Sequence, residues 1–183
     1  MQFRKRFIAL AAAGIVLGGG AVAGAQVGFL DTDGGPHVDV PPNVQPYNCG
    51  PVEDNLIKTQ NSPVETQSIP NIPVPGAQFQ VTVAPMTQRC LKLLFTAESS
   101  CTGYPGDDFC YVRALVDGVP MDPDGGGFQA LDSEDDTASA HAYEWIKRVG
   151  PGVHNITIER RVGNPNTVFR LDDYTSDLEV LLA

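Results

Sequence analysis

From Gln78 onward the chain alternates apolar and polar residues with a period of two, and this rhythm constrains the fold more than any other feature. Phe79, Val81 and Val83 alternate with Gln78, Gln80 and Thr82. Three apolar side chains therefore fall on one face of an extended segment, as in a half-buried strand. Residues 91–97 form a more continuously apolar run, the pattern of a central strand. Residues 111–116 give the next strand, closed by the turn dipeptide Asp117-Gly118, and residues 128–131 a short one. Gly150-Pro151-Gly152 joins two further alternating stretches, residues 140–149 and 153–162, in a hairpin. In the second stretch His154, Ile156, Ile158 and Arg160 share one face, and Asn155, Thr157 and Glu159 the other. The last segment, residues 167–182, is interrupted by Asp172-Asp173.

Short strands separated by turn signals, with no amphipathic helix among them, predict an all-β, antiparallel two-sheet sandwich. The connections are too short for the crossover helices that a parallel sheet requires. A jelly-roll topology is expected, with an immunoglobulin-like sandwich as the alternative.

Residues 26–77 differ in character. Nine prolines, at positions 36, 41, 42, 46, 51, 63, 70, 73 and 75, remove amide donors that a central strand needs. This stretch is expected to be an extended arm contributing edge strands, residues 52–59 being the best candidate. The organisation expected is a signal peptide at 1–25, the proline-rich arm at 26–77 and the sandwich at 78–183. Arg4, Lys5 and Arg6 precede an uncharged apolar run at 7–17, and Ala23-Gly24-Ala25 is a small-x-small cleavage pattern. Gly18-Gly19-Gly20 interrupts the apolar run before it reaches the roughly 20 residues of a membrane span. These features predict a secreted or cell-surface protein with no membrane span in the mature chain. The formal net charge of −10 becomes more negative once the basic leader is removed. Such a surface repels phosphate backbones, which argues against a nucleic-acid partner.

Four cysteines, Cys49, Cys90, Cys101 and Cys110, lie in the exported part, and an even count in an oxidising compartment favours two disulfides. Three pairings are possible. The turn-rich loop at 102–109 favours Cys101 with Cys110, leaving Cys49 with Cys90. No C-x-x-C or histidine at ligand spacing points to zinc.

Three stretches carry a resemblance: Tyr-Val-Arg-Ala-Leu-Val-Asp-Gly at 111–118, Glu-Trp-Ile-Lys-Arg-Val-Gly-Pro-Gly-Val-His-Asn-Ile-Thr-Ile at 144–158, and Phe-Arg-Leu-Asp-Asp-Tyr-Thr at 169–175. Together they resemble the jelly-roll modules of secreted bacterial proteins, carbohydrate-binding modules among them. The resemblance spans roughly residues 78–183 and implies a fold and an extracellular setting, not a ligand.

Candidate chemistry is sparse. His37, His141 and His154 are far apart, and no G-x-S-x-G elbow supplies a nucleophile, so a non-catalytic chain is expected. Asp122 and Asp124 precede three glycines, and Asp132 and Asp135 follow. Carboxylates and glycine-freed carbonyls are what calcium takes, so these four are candidate ligands for a possible calcium ion. Tyr143 and Trp145 fall on one face of a strand, either as a platform for stacking on sugar rings or as part of the core. The function expected is a non-catalytic extracellular binding or surface-structural module with a glycan or protein ligand. The alternatives are a calcium-supported carbohydrate-binding accessory domain and a hydrolase built from the acidic residues.

Overall fold

Alternating segments become strands in the computed structural model, which describes residues 46–103, 108–124, 127–133 and 137–183. The expected leader, the first part of the proline-rich arm, His37 and Asp135 lie outside the described residues. The strands, in chain order, are β1 (Val52–Gln60), β2 (Val64–Thr66), β3 (Ile72–Val83), β4 (Arg89–Thr102), β5 (Phe109–Val116), β6 (Val119–Pro120), β7 (Gln129–Ser133), β8 (Ser139–Val149), β9 (Gly152–Val162) and β10 (Val168–Leu182).

One sheet has the order β1-β10-β4-β8 with β2 added on β10, and the other β3-β9-β5-β6 with β7 added on β5. Apart from the short β2 and β6, the strands pair from the outside in: β1 with β10, β3 with β9, β4 with β8 and β5 with β7, all antiparallel. A long hairpin rolled up so that successive pairs alternate between two sheets is a jelly roll, the topology expected from the sequence. The proline-rich segment enters it at the margins. β1 and β3 are each the edge strand of a sheet, where the missing amides of Pro73 and Pro75 break no central ladder.

Two irregularities keep the greasy face inward. On β10, Phe169 and Leu171 are buried at odd positions, whereas Tyr174, Ser176, Leu178 and Val180 are buried at even ones. The register shifts between Asp172 and Thr175, and Asp173 takes a left-handed backbone at φ 41°. The Asp172-Asp173 interruption is thus a β-bulge: the extra residue changes parity, and without it half the strand would turn its apolar side to water. β3 does the same between Val74 and Ala77, around Gly76 at φ 73°. Tyr174 ties the two irregular places together, its hydroxyl donating to Pro75 O at 2.5 Å across the sandwich.

The core between the sheets is filled by Phe95, Phe169, Trp145, Leu91, Ile156 and Ile158, all fully buried together with their neighbours. Each such side chain contributes roughly 1.5–3 kcal/mol relative to exposure. The inward row of β9 also carries two polar groups, one on either side of Ile156 and Ile158. Arg160, 4% exposed, donates to Val64 O at 2.9 Å and Glu65 O at 3.2 Å on β2 of the opposite sheet. His154, on the other side, sits between Asp117 Oδ2 at 2.7 Å and Gly150 O at 2.9 Å.

The cysteines form Cys49–Cys90 and Cys101–Cys110. Cys101 on β4 and Cys110 on β5 link one sheet to the other, and Cys49 anchors the segment ahead of β1. With sequence separations of 41 and 9, the chain-entropy model assigns the bridges about 4 and about 2.5 kcal/mol.

Candidate functional site

Tyr143 and Trp145 do share a face, but it is the core face. Their ring centroids are 4.9 Å apart, Trp145 is 1% exposed and Tyr143 packs against the core beside it. The indole Nε1 donates to Gln129 Oε1 at 2.9 Å, and Gln129 Nε2 donates to Pro123 O at 2.8 Å. The buried indole N–H therefore has its partner within the protein, as large amphipathic rings require. The reading of this pair as a sugar platform is corrected accordingly: strand parity set by Val149 and the core places it inside.

The candidate calcium ligands go separate ways. Asp122 accepts a hydrogen bond from the Tyr47 hydroxyl, and its backbone bridges to Ile146. Burial, then the bond to Asp122 and its charge, push the Tyr47 phenol up to about 12. Asp124 O accepts from Gly127 N. Asp132 is buried on β7, where it meets Ser99 and His141. Among the described residues no three His, Cys, Asp or Glu side chains gather around a common point.

Ser99, Asp132 and His141 form a polar cluster between the sheets. Ser99 Oγ on β4 donates to Asp132 Oδ2 at 2.7 Å and lies 2.9 Å from His141 Nδ1 on β8. Residue types match a nucleophilic relay, but the order does not. In such a relay the imidazole stands between hydroxyl and carboxylate and takes the hydroxyl proton. Here the serine stands in the middle and its proton points to the carboxylate, so Nδ1 is assigned as the donor that completes the chain. Ser99 is also 1% exposed. The cluster is suited to fastening β4 and β8 to β7 across the core.

A different group of side chains faces solvent. On β5 the disulfide fixes the parity: Cys110, Val112 and Ala114 point inward, so Phe109, Tyr111 and Arg113 point outward. The register with β9 sets Tyr111 opposite Arg161 and Arg113 opposite Glu159. Arg113 clasps Glu159 with Nε at 2.8 Å and Nη2 at 2.6 Å, a two-point ion pair. Phe128, just before β7, lies edge-on to Tyr111 at 6.4 Å. The Arg161 guanidinium carbon is 4.4 Å from the Phe128 centroid and 5.0 Å from that of Tyr111, and Arg113 is 4.5 Å from Phe128. Phe109 continues the patch, its ring 6.1 Å from Tyr111 and 39% exposed. Positive guanidinium over the negative face of a ring is attractive by about 0.5–2 kcal/mol per contact, which holds the group in place. Sequence reasoning passed over this face because it followed the apolar side of the strand; the disulfide partner Cys110 was the signal that Phe109 and Tyr111 must lie outside.

No protein-family model matches the sequence, and no curated protein matches it. Among solved structures the chain is similar to dimeric latent PorU from Porphyromonas gingivalis, with TM-score 0.47 and 8% identity over 73% of this chain and 13% of that one. It is also similar to the EclA C-terminal domain, a sugar-binding protein, with TM-score 0.36 and 13% identity over 71% of this chain and 89% of that one. The chain thus spans only a small part of PorU. Likenesses this remote say nothing of a ligand.

Proposed function

We propose that this chain is a non-catalytic extracellular binding module that takes a glycan on the outer face of β5 and β9. The observation that carries the reading is the gathering of Phe109, Tyr111 and Phe128 on the solvent side of a sheet whose inner side is already packed. Aromatic area left in water is costly, and a patch rimmed by charged groups is a usual mark of a binding surface. Sugar rings offer apolar C–H faces to an exposed ring such as Phe109 and hydroxyls to flanking Arg113, Glu159 and Arg161. So small a patch suits a glycan better than a folded protein, which ordinarily needs about 800 Å² on each partner. The two disulfides favour an oxidising compartment, and among the described residues no helix is long and apolar enough to cross a membrane. The non-catalytic reading is supported by the order of the Ser99 cluster.

Glycan-array or affinity-electrophoresis measurements on the folded chain test this proposal. Phe109→Ala should weaken glycan binding about tenfold, close to 1.4 kcal/mol, with only a modest fall in unfolding midpoint because the residue is 39% exposed and lies outside the core. Met86→Ala, at an almost fully exposed turn elsewhere, should bind as the parent does. Unchanged binding in Phe109→Ala would remove this face as the site.

A further inference from the structure

Resting on that reading of the face, we infer that its ligand is an acidic sugar, a pyranose carrying a carboxylate, and that Arg161 is the residue that recognises the acid. The inference turns on an asymmetry between two neighbouring arginines. Arg113 is neutralised by Glu159. Arg161, diagonal to it on the same face, has no carboxylate and no hydrogen-bond acceptor among the described residues, and its Nε is shut off from solvent without a partner. Its contacts are the rings of Tyr111 and Phe128.

Such an environment does two things to a guanidinium. The rings displace water from its faces, so the charge is poorly solvated and gains more than a free surface arginine from an anion. They also crowd the group on one side, where Nε is buried, leaving the Nη1 and Nη2 end as the approach. Two parallel N–H donors at that end match the two oxygens of a carboxylate, and the crowding lowers the entropy lost on binding. Tyr111 neighbours both the cation and the exposed ring: its centroid is 5.0 Å from the Arg161 guanidinium carbon and 6.1 Å from the Phe109 ring. A carboxylated sugar can therefore place its acid at Arg161 while its own or the adjoining ring covers Phe109.

The rest of the molecule narrows the class. With a formal charge of −10 over the whole chain, a densely charged polyanion is repelled at range, whereas a single carboxylate needs only the local cation. Sparsely acidic sugars are thus favoured over heavily sulfated chains or nucleic acid.

The test is a calorimetric panel of galacturonate, glucuronate and sialyl-lactose, each carrying one carboxylate and each paired with its carboxyl methyl ester, against the full chain. At least one acid should bind about tenfold or more tightly than its own ester. Arg161→Gln should bring acid and ester level, and Arg161→Lys, which keeps the charge but not the fork, should restore only part of the preference. Unfolding midpoints near the parent's show that each variant is folded. Equal binding of acid and ester, a preference that survives Arg161→Gln, or polyglutamate competing as well as the acid sugar would each overturn the inference. If acid and ester bind equally and both are lost in Phe109→Ala, the face is still the glycan site and only its acidity is wrong. If no sugar of the panel binds, or binding is indifferent to Phe109→Ala, the underlying reading falls as well.

Discussion

His154 shows how much a single side chain at the end of an apolar row can do. Nδ1 faces the Asp117 carboxylate and Nε2 the Gly150 carbonyl, two acceptors at once. A neutral imidazole carries one proton and satisfies one of them; the imidazolium satisfies both. Burial alone would lower the His154 pKa, but the bond to Asp117, the bond to Gly150 and the charge of Asp117 outweigh it and raise the value. Asp117 moves the other way, held down by the backbone N–H of Asn155 and then by His154. A raised histidine gives stability that is complete below the unfolded value of about 6.5 and is lost as pH rises through the folded value. A depressed aspartate gives stability present above about 3.9 and lost as pH falls through its folded value. The latch should therefore be strongest in mildly acidic solution. Unfolding midpoints measured across neutral pH should fall on the alkaline side, and His154→Gln should flatten that fall; a parent chain with no slope there contradicts the latch. Arg160, further along the same row, is a buried cation held by two carbonyls of β2. Arg160→Ala should cost about 2–4 kcal/mol in denaturant unfolding, through lost packing and two carbonyls left without donors. A loss below about 1 kcal/mol would mean that water replaces the guanidinium freely.

At the scale of elements, parity decides which side of a strand meets the core, and parity explains what could be read from the sequence. Phe79, Val81 and Val83 on β3 and the Ile156–Ile158 row of β9 declared their inward faces by simple alternation, and the continuous apolar run Leu91 to Ala97 declared the interior place of β4 in its sheet. The disulfide pairing was legible from the turn-rich loop between Cys101 and Cys110. The bulges were not, because Asp172-Asp173 and Gly76 look like ordinary turn residues until the register on both sides is known. Tyr143 and Trp145 offered two readings that alternation alone does not separate, since it says that two residues share a face but not which face is dry. Asp173 holds φ at 41° in the β10 bulge, a conformation that glycine adopts freely and a β-branched residue resists. Asp173→Gly should be neutral or stabilising by up to about 1 kcal/mol, and Asp173→Val should lose about 1–2 kcal/mol. Thermal unfolding of the pair checks this; equal midpoints would show that the bulge relaxes without strain.

For the whole molecule, the fold leaves two very different sheet faces in solvent. The outer side of β4, β8 and β10 carries Lys92 between Glu144 and Glu179, an exposed charge pairing of the kind that contributes little. The outer side of β5 and β9 carries the aromatic and arginine patch. The sequence made the sandwich legible, because periodicity and turn chemistry are local. It did not make the patch legible, because Phe128 reaches Arg113 and Arg161 only after β7 has folded back on β5. The central claim is that this assembled face is where a ligand binds. Amide chemical shifts of the isotope-labelled chain, recorded while an acid sugar from the panel is titrated in, test it most directly. Changes confined to Phe109, Tyr111, Arg113, Phe128, Glu159, Arg161 and their immediate neighbours are the expected result; changes centred on the outer face of β4, β8 and β10, with those residues silent, would contradict it.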